Sequence, residues 1–275
     1  MGGLYNMNNI ELGNVEETLF VPLRGRIFAT NNFNHILDDK KSLEIASKIP
    51  EKYLSMEGES EYTLLSSATR SMNMDKNIQD FIRRHPCGSI INIGCGLETI
   101  FYRNNNDKNI FYELDLKDVI ELRKEIIGIE EKDVCLAYSM FDYDWIYEVL
   151  KISCGPFLVV SSGVFYYFRE DEVVDFLRNI TKLGEVEIVF DAVSKFGIKQ
   201  SNRYLKKLGK EDAIMYFYVD NVVDLVNKIG GNAEIIDTTD YFNNIHNRSQ
   251  FNITTRIKMF ISDKFHMVKH IHLKL

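Results

Sequence analysis

Between residues 90 and 190 the sequence alternates two kinds of segment, and that alternation constrains the fold more than any single residue does. Apolar, largely β-branched runs lie at 90–93, 111–114, 134–138, 157–160 and 186–190, and amphipathic stretches separate them, notably 116–127 and 170–180. Strands without polar alternation must be covered on both faces, so the pattern predicts a parallel sheet with helices on either side. A helix over 222–229 then stops at Gly230-Gly231, and 233–237 reads as a sixth strand. Ile271, Leu273 and Leu275 alternate with His270, His272 and Lys274, the period of two that predicts a final strand. Residues 1–88 carry scattered helical patterning, at 39–49 and 74–84, before Pro86 and Gly88 break the chain. They are expected to form a helical cap belonging to the same domain as the 89–275 core. The 194–220 segment is long for a connection and is expected to act as a lid.

At 275 residues the chain suffices for one large core. Its 33 Lys and Arg against 40 Asp and Glu give a net charge of −7. That balance disfavours sequence-independent binding to nucleic acid or to an anionic membrane, while leaving room for a local basic patch. Cys87, Cys95, Cys135 and Cys154 show neither C-x-x-C nor metal-finger spacing, so a reduced, cytoplasmic protein is expected. No apolar run approaches the roughly 20 residues of a membrane span. Met1-Gly2-Gly3 has the start of a myristoylation signal, but Asn6 stands where that signal has Ser or Thr.

The first apolar run leads directly into Gly94-Cys95-Gly96. Glycine is needed in such a turn where a side chain would block a ligand from the backbone. A dinucleotide fingerprint would place a third glycine where Thr99 stands, and a pyrophosphate-free nucleoside has less need of it. Asp115 ends the second run, where a carboxylate can accept both hydroxyls of a ribose. The competing reading makes Asp115 a helix N-cap, since Leu116 opens a helix.

On these residues the chain resembles the leucine carboxyl methyltransferase family, including its bacterial branch of tetracenomycin-type polyketide O-methyltransferases. Thr18-Leu19 with Pro22-Leu23 and Arg26 is similar to that branch's T-L-x-x-P-L-x-x-R segment. Ala68-Thr69-Arg70 with Asp75, and Gly94-Cys95-Gly96-Leu97-Glu98-Thr99 with Arg103, resemble further family motifs, Glu98 replacing an Asp. So do Glu113-Leu114-Asp115 and Ser162-Gly163-Val164-Phe165-Tyr166-Tyr167. The resemblance covers residues 17–192.

It implies an α/β, Rossmann-like, seven-stranded, mostly parallel sheet whose last strand is antiparallel, and S-adenosylmethionine as cofactor. Gly94 and Gly96 would line that cofactor, Asp115 would hold its ribose, and Arg70 would pair with its methionine carboxylate. The other reading of Arg70 is a surface helix arginine. Ser139 and Met140 fall in the third cofactor motif, where the family has Asp at the Ser139 position. Ser162 replaces a family Glu in the fourth.

The expected function is methyl transfer to a small organic acceptor bearing an acidic oxygen. Modification of a protein C-terminus, a non-catalytic S-adenosylmethionine-binding role and nicotinamide-dependent redox chemistry remain alternatives. No His–carboxylate pair has a spacing that marks a general base. Of the clustered His266, His270 and His272, the last two share a polar strand face with Lys274 and no carboxylate or cysteine joins them, so no metal is expected. Tyr166 and Tyr167 read as core aromatics that could also face a sulfonium. Lys195, Lys199, Arg203, Lys206 and Lys207 read as a solvated helix face, or as cations presented to an anionic acceptor. No residue marks an oligomeric state.

Overall fold

The five apolar runs form parallel strands β1 (Ser89–Ile93), β2 (Phe111–Asp115), β3 (Asp133–Ala137), β4 (Phe157–Ser161) and β5 (Val186–Val193). The computed structural model describes residues 14–207 and 214–275. Strands β6 (Glu234–Asp240) and β7 (Val268–Lys274) complete a sheet of order β3-β2-β1-β4-β5-β7-β6, and β7 runs antiparallel to both neighbours. Chain winding therefore reverses between β1 and β4, which opens a crevice at the carboxyl ends of those two strands.

Alternation along β1 sends Ile91 and Ile93 to one face and Ile90 to the other. On the first face Trp145 of α7 (Asp144–Ile152) joins Phe176 and Leu177 of α8 (Glu170–Ile180) and Leu225 of α10 (Val222–Ile229) in the main core. On the second, Met74, Ile78 and Phe81 of α4 (Glu61–Arg84) and Phe101 of α5 (Ile100–Asn104) cover Ile90, Leu158 and Val160. Each large side chain buried this way contributes about 1.5–3 kcal/mol relative to exposure. All eight residues of β5 are buried, Glu187 and Asp191 included.

The cap is helical as expected. It consists of α1 (Asn14–Asn32), α2 (Lys40–Ala46), the single turn α3 (Glu51–Leu54) and α4. Phe20 and Leu23 of α1 pack on Leu97, just past the glycine turn, and on Ile126, the last residue of α6 (Lys117–Ile126). Helix α4 is twice the length that 74–84 suggests, beginning where Ser60 accepts a hydrogen bond from the Thr63 amide. Its first half hides from an apolar-periodicity reading because Ser67, Thr69, Ser71, Asn73 and Asp75 are buried polar residues.

Three other differences matter. The sixth strand lies at Glu234–Asp240 rather than 233–237, as the sheet edge paired only to β7. The polar side of β7 is not solvated: His270 and His272 are buried, bonded to Asn77 and Glu187 respectively, while His266 bonds separately to Asp240. The 194–220 segment contains α9 (Lys195–Lys207), and its return at 214–220 is tied down by Tyr216 and Val219 amides donating to the Tyr166 and Val193 carbonyls. Residues 208–213 of that segment lie outside the described residues, as do Met1-Gly2-Gly3.

Candidate cofactor site

The glycine turn hangs from the carboxyl end of β1 with Gly94 at φ +61° and Gly96 at φ +47°, left-handed values that an L side chain adopts only with strain. The Gly96 amide donates to Asp115 Oδ2 at 2.8 Å, and Oδ1 accepts from the Leu116 amide at 2.8 Å. Leu116 itself is the N-cap of α6 and no side chain caps that helix, so the cap reading of Asp115 is not what the structure contains. Asp115 instead pins the turn to the end of β2. Each carboxylate oxygen keeps a lone pair, and burial pushes the carboxyl above its ordinary value while the Gly96 and Leu116 amides oppose that.

Two buried arginines hold the turn from outside. Arg123, from α6, donates Nη1 to the Gly96 carbonyl at 3.2 Å and to the Glu98 carbonyl at 2.5 Å. Arg26, from α1, donates Nη2 to the Leu97 carbonyl at 2.6 Å and Nη1 to Glu98 Oε2 at 3.0 Å. Glu98 also meets Arg103 Nη1 at 2.8 Å and accepts from the Ser71 hydroxyl at 3.0 Å. Asp39 gathers Arg26, Arg103 and the Thr99 hydroxyl, and Asp75 takes Arg103 in a two-point contact of 2.6 and 3.0 Å. Burial alone would raise the Glu98 carboxyl, but Arg26 and Arg103 outweigh it and hold Glu98 down to about 2. It stays ionised, and the cap and the glycine turn share one buried charge network.

Arg70, in α4, reaches the ends of β4 and β5. Its Nε lies 3.2 Å from Asp191 Oδ2 and 3.2 Å from the Tyr241 hydroxyl, and Asp191 also accepts from the Tyr166 hydroxyl and the Gly163 amide. Among the described residues no hydrogen-bond acceptor meets Nη1 or Nη2. A Cβ on Gly163 would fall 2.2 Å from Arg70 Nη1, so only glycine admits the guanidinium here. The surface-arginine reading fails: 22% of the side chain is exposed, on one side only of a network that Asp191 anchors from a fully buried strand.

The structure thus brings Gly94, Gly96 and Asp115 together at one end of the crevice, and Arg70 beside Ser162-Gly163 at the other. Ser162 is half-buried. Ser139 is exposed after β3, its hydroxyl accepting from the Phe141 amide at 3.3 Å. Met140 packs into the main core, and its carbonyl accepts from the Trp145 indole. The sequence reading passed over Asp191 and Tyr241, and gave Tyr166 as a core aromatic that could also face a sulfonium, not as a partner of Asp191. The signal for Asp191 was available: an acid inside Val-Glu-Ile-Val-Phe-Asp-Ala-Val, a strand too apolar for solvent.

Known proteins share this architecture. The plantazolicin methyltransferase BamL, solved with a triazolic desmethylPZN analog and SAH, superposes with a TM-score of 0.52 at 12% identity over 94% of this chain and 98% of its own. That likeness is one of fold. The family model for leucine carboxyl methyltransferase matches residues 26–181, more than half of the chain, and the chain belongs to that family. It is a methyltransferase. Two relatives extend the match beyond that span. The S-adenosyl-L-methionine-dependent methyltransferase dpfgK of Gibberella zeae is 26% identical over 84% of each chain. The tetracenomycin polyketide synthesis O-methyltransferase TcmP of Streptomyces glaucescens is 24% identical, over 81% of this chain and 82% of its own.

Proposed function

We propose that this methyltransferase transfers a methyl group from S-adenosylmethionine to an acidic oxygen of a small organic acceptor. The observation that carries the reading is the pair of complementary ends on one crevice. A turn of left-handed glycines beside the Asp115 carboxylate suits a nucleoside without phosphate, and Nη1 and Nη2 of Arg70, which meet no acceptor among the described residues, suit a carboxylate. The residues present therefore fit the cofactor, which supplies an electrophilic methyl on a sulfonium when bound.

In this reading Asp115 accepts from the ribose hydroxyls with the lone pairs that Gly96 and Leu116 leave free. Arg70 keeps Nε on Asp191 and offers its remaining edge to the amino-acid carboxylate. Ser139 and Ser162 contribute hydrogen bonds without charge. Burial raises the Tyr166 phenol well above its ordinary value, so Tyr166 stays protonated and acts as a donor to Asp191 rather than as a base. The chain's contribution to rate is then positioning and water exclusion around an in-line displacement. The likeness to TcmP, an O-methyltransferase of tetracenomycin polyketide synthesis, supports a small acceptor over a protein C-terminus.

The test is to incubate the protein with labelled S-adenosylmethionine and a cell lysate and to fractionate the products by size. Label in the small-molecule fraction is expected. Label mainly on a polypeptide, as a base-labile ester, would assign the protein-carboxyl reading instead.

A further inference from the structure

Helix α11 (Ile253–Lys264) is amphipathic the wrong way round for a helix that only covers a core. Its buried residues are Thr255, Met259 and Ser262, two of them small and polar. Its large apolar side chains, Ile253, Ile257, Phe260 and Ile261, are 40–64% exposed, and they recur at i, i+4, i+7 and i+8, a single stripe opposite the buried one. Phe265 extends the stripe past the helix end, and its ring lies 6.3 Å from that of Phe196 in the first turn of α9, both rings more than half exposed.

Charge is arranged around this stripe. Exposed Arg256 and Lys258 flank it on its two sides and exposed Lys264 lies at its end. The one acid of α11, Asp263, is paired to Arg248. Helix α9 carries no acidic residue, and exposed Lys195, Lys199, Arg203 and Lys206 recur at i, i+4, i+8 and i+11, again one stripe. A chain of net charge −7 has thus segregated a strongly basic face around its bulkiest exposed apolar side chains. The acidic balance of the whole chain and the character of this face are separate facts.

We propose that the α9–α11 face docks on an anionic lipid surface. Protruding aliphatic and aromatic side chains flanked by long basic ones form the arrangement of an interfacial helix, whose apolar side enters the acyl boundary while Lys and Arg reach the headgroup phosphates. A second copy of the chain is disfavoured because the same face would meet its own positive charge. Exposed side chains of this kind need no matching groove in a deformable bilayer. Because Val193 pairs with Val268, the α11–β7 connection carrying Phe265 lies at the carboxyl end of β5, the same edge of the sheet as the cofactor crevice. Docking would set that edge beside the headgroups.

The experiment is sedimentation of the full chain with vesicles of phosphatidylcholine alone or with phosphatidylglycerol added. Binding to the anionic vesicles should be at least about tenfold stronger and should fall as salt rises. Ile257→Ser with Phe260→Ser should weaken it about tenfold or more. Lys199→Glu with Arg203→Glu should abolish the preference for anionic lipid. Unchanged melting and unchanged S-adenosylmethionine binding by calorimetry would establish that each variant is folded. Wild-type protein left in the supernatant with anionic vesicles would overturn the proposal and leave the face to a protein partner. So would a dimer in light scattering that Phe260→Ser splits, which would assign the face to a second copy.

Discussion

On the proposed reading Arg70 both ties α4 to β5 and holds the carboxylate of the cofactor. Its Nε is committed to Asp191 and Tyr241, and that commitment fixes where the other two nitrogens point. Removing it should cost a charge-assisted contact of about 1.5–3 kcal/mol in cofactor affinity. Calorimetry with Arg70→Ala should therefore show a loss of roughly tenfold to a hundredfold for S-adenosylmethionine. The loss should nearly vanish for a decarboxylated analogue, and equal losses for the two ligands would remove Arg70 from the site. Gly163→Ala supplies an independent check, because its Cβ would fall 2.2 Å from Nη1 at φ +79° and must displace the guanidinium. That variant should reproduce the carboxylate-dependent defect although it deletes no charge. If Gly163→Ala binds both ligands as wild type does, the guanidinium is not held where the structure has it.

At the scale of elements, the glycine turn is shaped by what grips it. Glu98 binds Arg26 of α1, Ser71 of α4 and Arg103 of α5 at once, so the two cap helices and the turn move as one unit. Breaking one partner of such a buried network costs about 3–5 kcal/mol. Glu98→Gln should lower stability in urea by that order and weaken S-adenosylmethionine binding, whereas Glu98→Asp should retain the charge and recover part of both. Stability lost with affinity unchanged would show that the network holds the cap but not the turn. Gly96 behaves differently from the simple expectation that a side chain there blocks only ligand: its Cβ would meet Leu19 at 3.1 Å, and φ +47° strains any L residue by about 1–2 kcal/mol. Gly96→Ala and Gly96→Val therefore both couple folding to binding, and either test must read melting temperature alongside S-adenosylmethionine affinity. The same comparison shows which parts of the molecule the residues announce. Apolar strands bounded by turns declare themselves because burial on both faces leaves no other composition, so β1 to β5 and Gly94, Gly96 and Asp115 were legible. Helix α4 was half legible, because its inner face is polar and satisfied by the charge network. Helix α11 was silent because its apolar stripe faces out. Asp191 was legible in principle, as an acid inside an apolar strand, although nothing in the sequence names its partners Arg70 and Tyr166.

For the molecule as a whole, the buried polar side of β7 sets how the fold responds to acid. His270 packs between α4 and the sheet, with Nε2 bonded to Asn77 at 2.8 Å and Nδ1 buried without a partner. Burial pushes this imidazole from 6.5 down to about 4, with Asp191 of β5 and Asp237 of β6 pulling back upward and His272 and Lys76 adding to the depression. The native state therefore resists a proton that the unfolded chain accepts. The stabilisation is complete above pH 6.5 and is lost as pH falls through 4, an effect of about 3 kcal/mol at 1.36 kcal/mol for each pH unit between those values. Glu187, four residue pairs along the β5–β7 ladder from His270, works in a lower window. Burial would raise its carboxyl, but Arg84 and His272 hold it down to about 2, so its stabilisation is present above pH 4.5 and fades only below that. The two windows scarcely overlap, which makes His270 separable by experiment. His270→Gln keeps a hydrogen-bonding group opposite Asn77 and cannot titrate. Urea unfolding at pH 7, 5.5 and 4.5 should show the wild type losing ground to the variant as the pH falls, because buried Glu113, raised to about 8, titrates alike in both and only the difference between the two reports His270. Two parallel curves would mean that the acid response originates elsewhere than in this histidine.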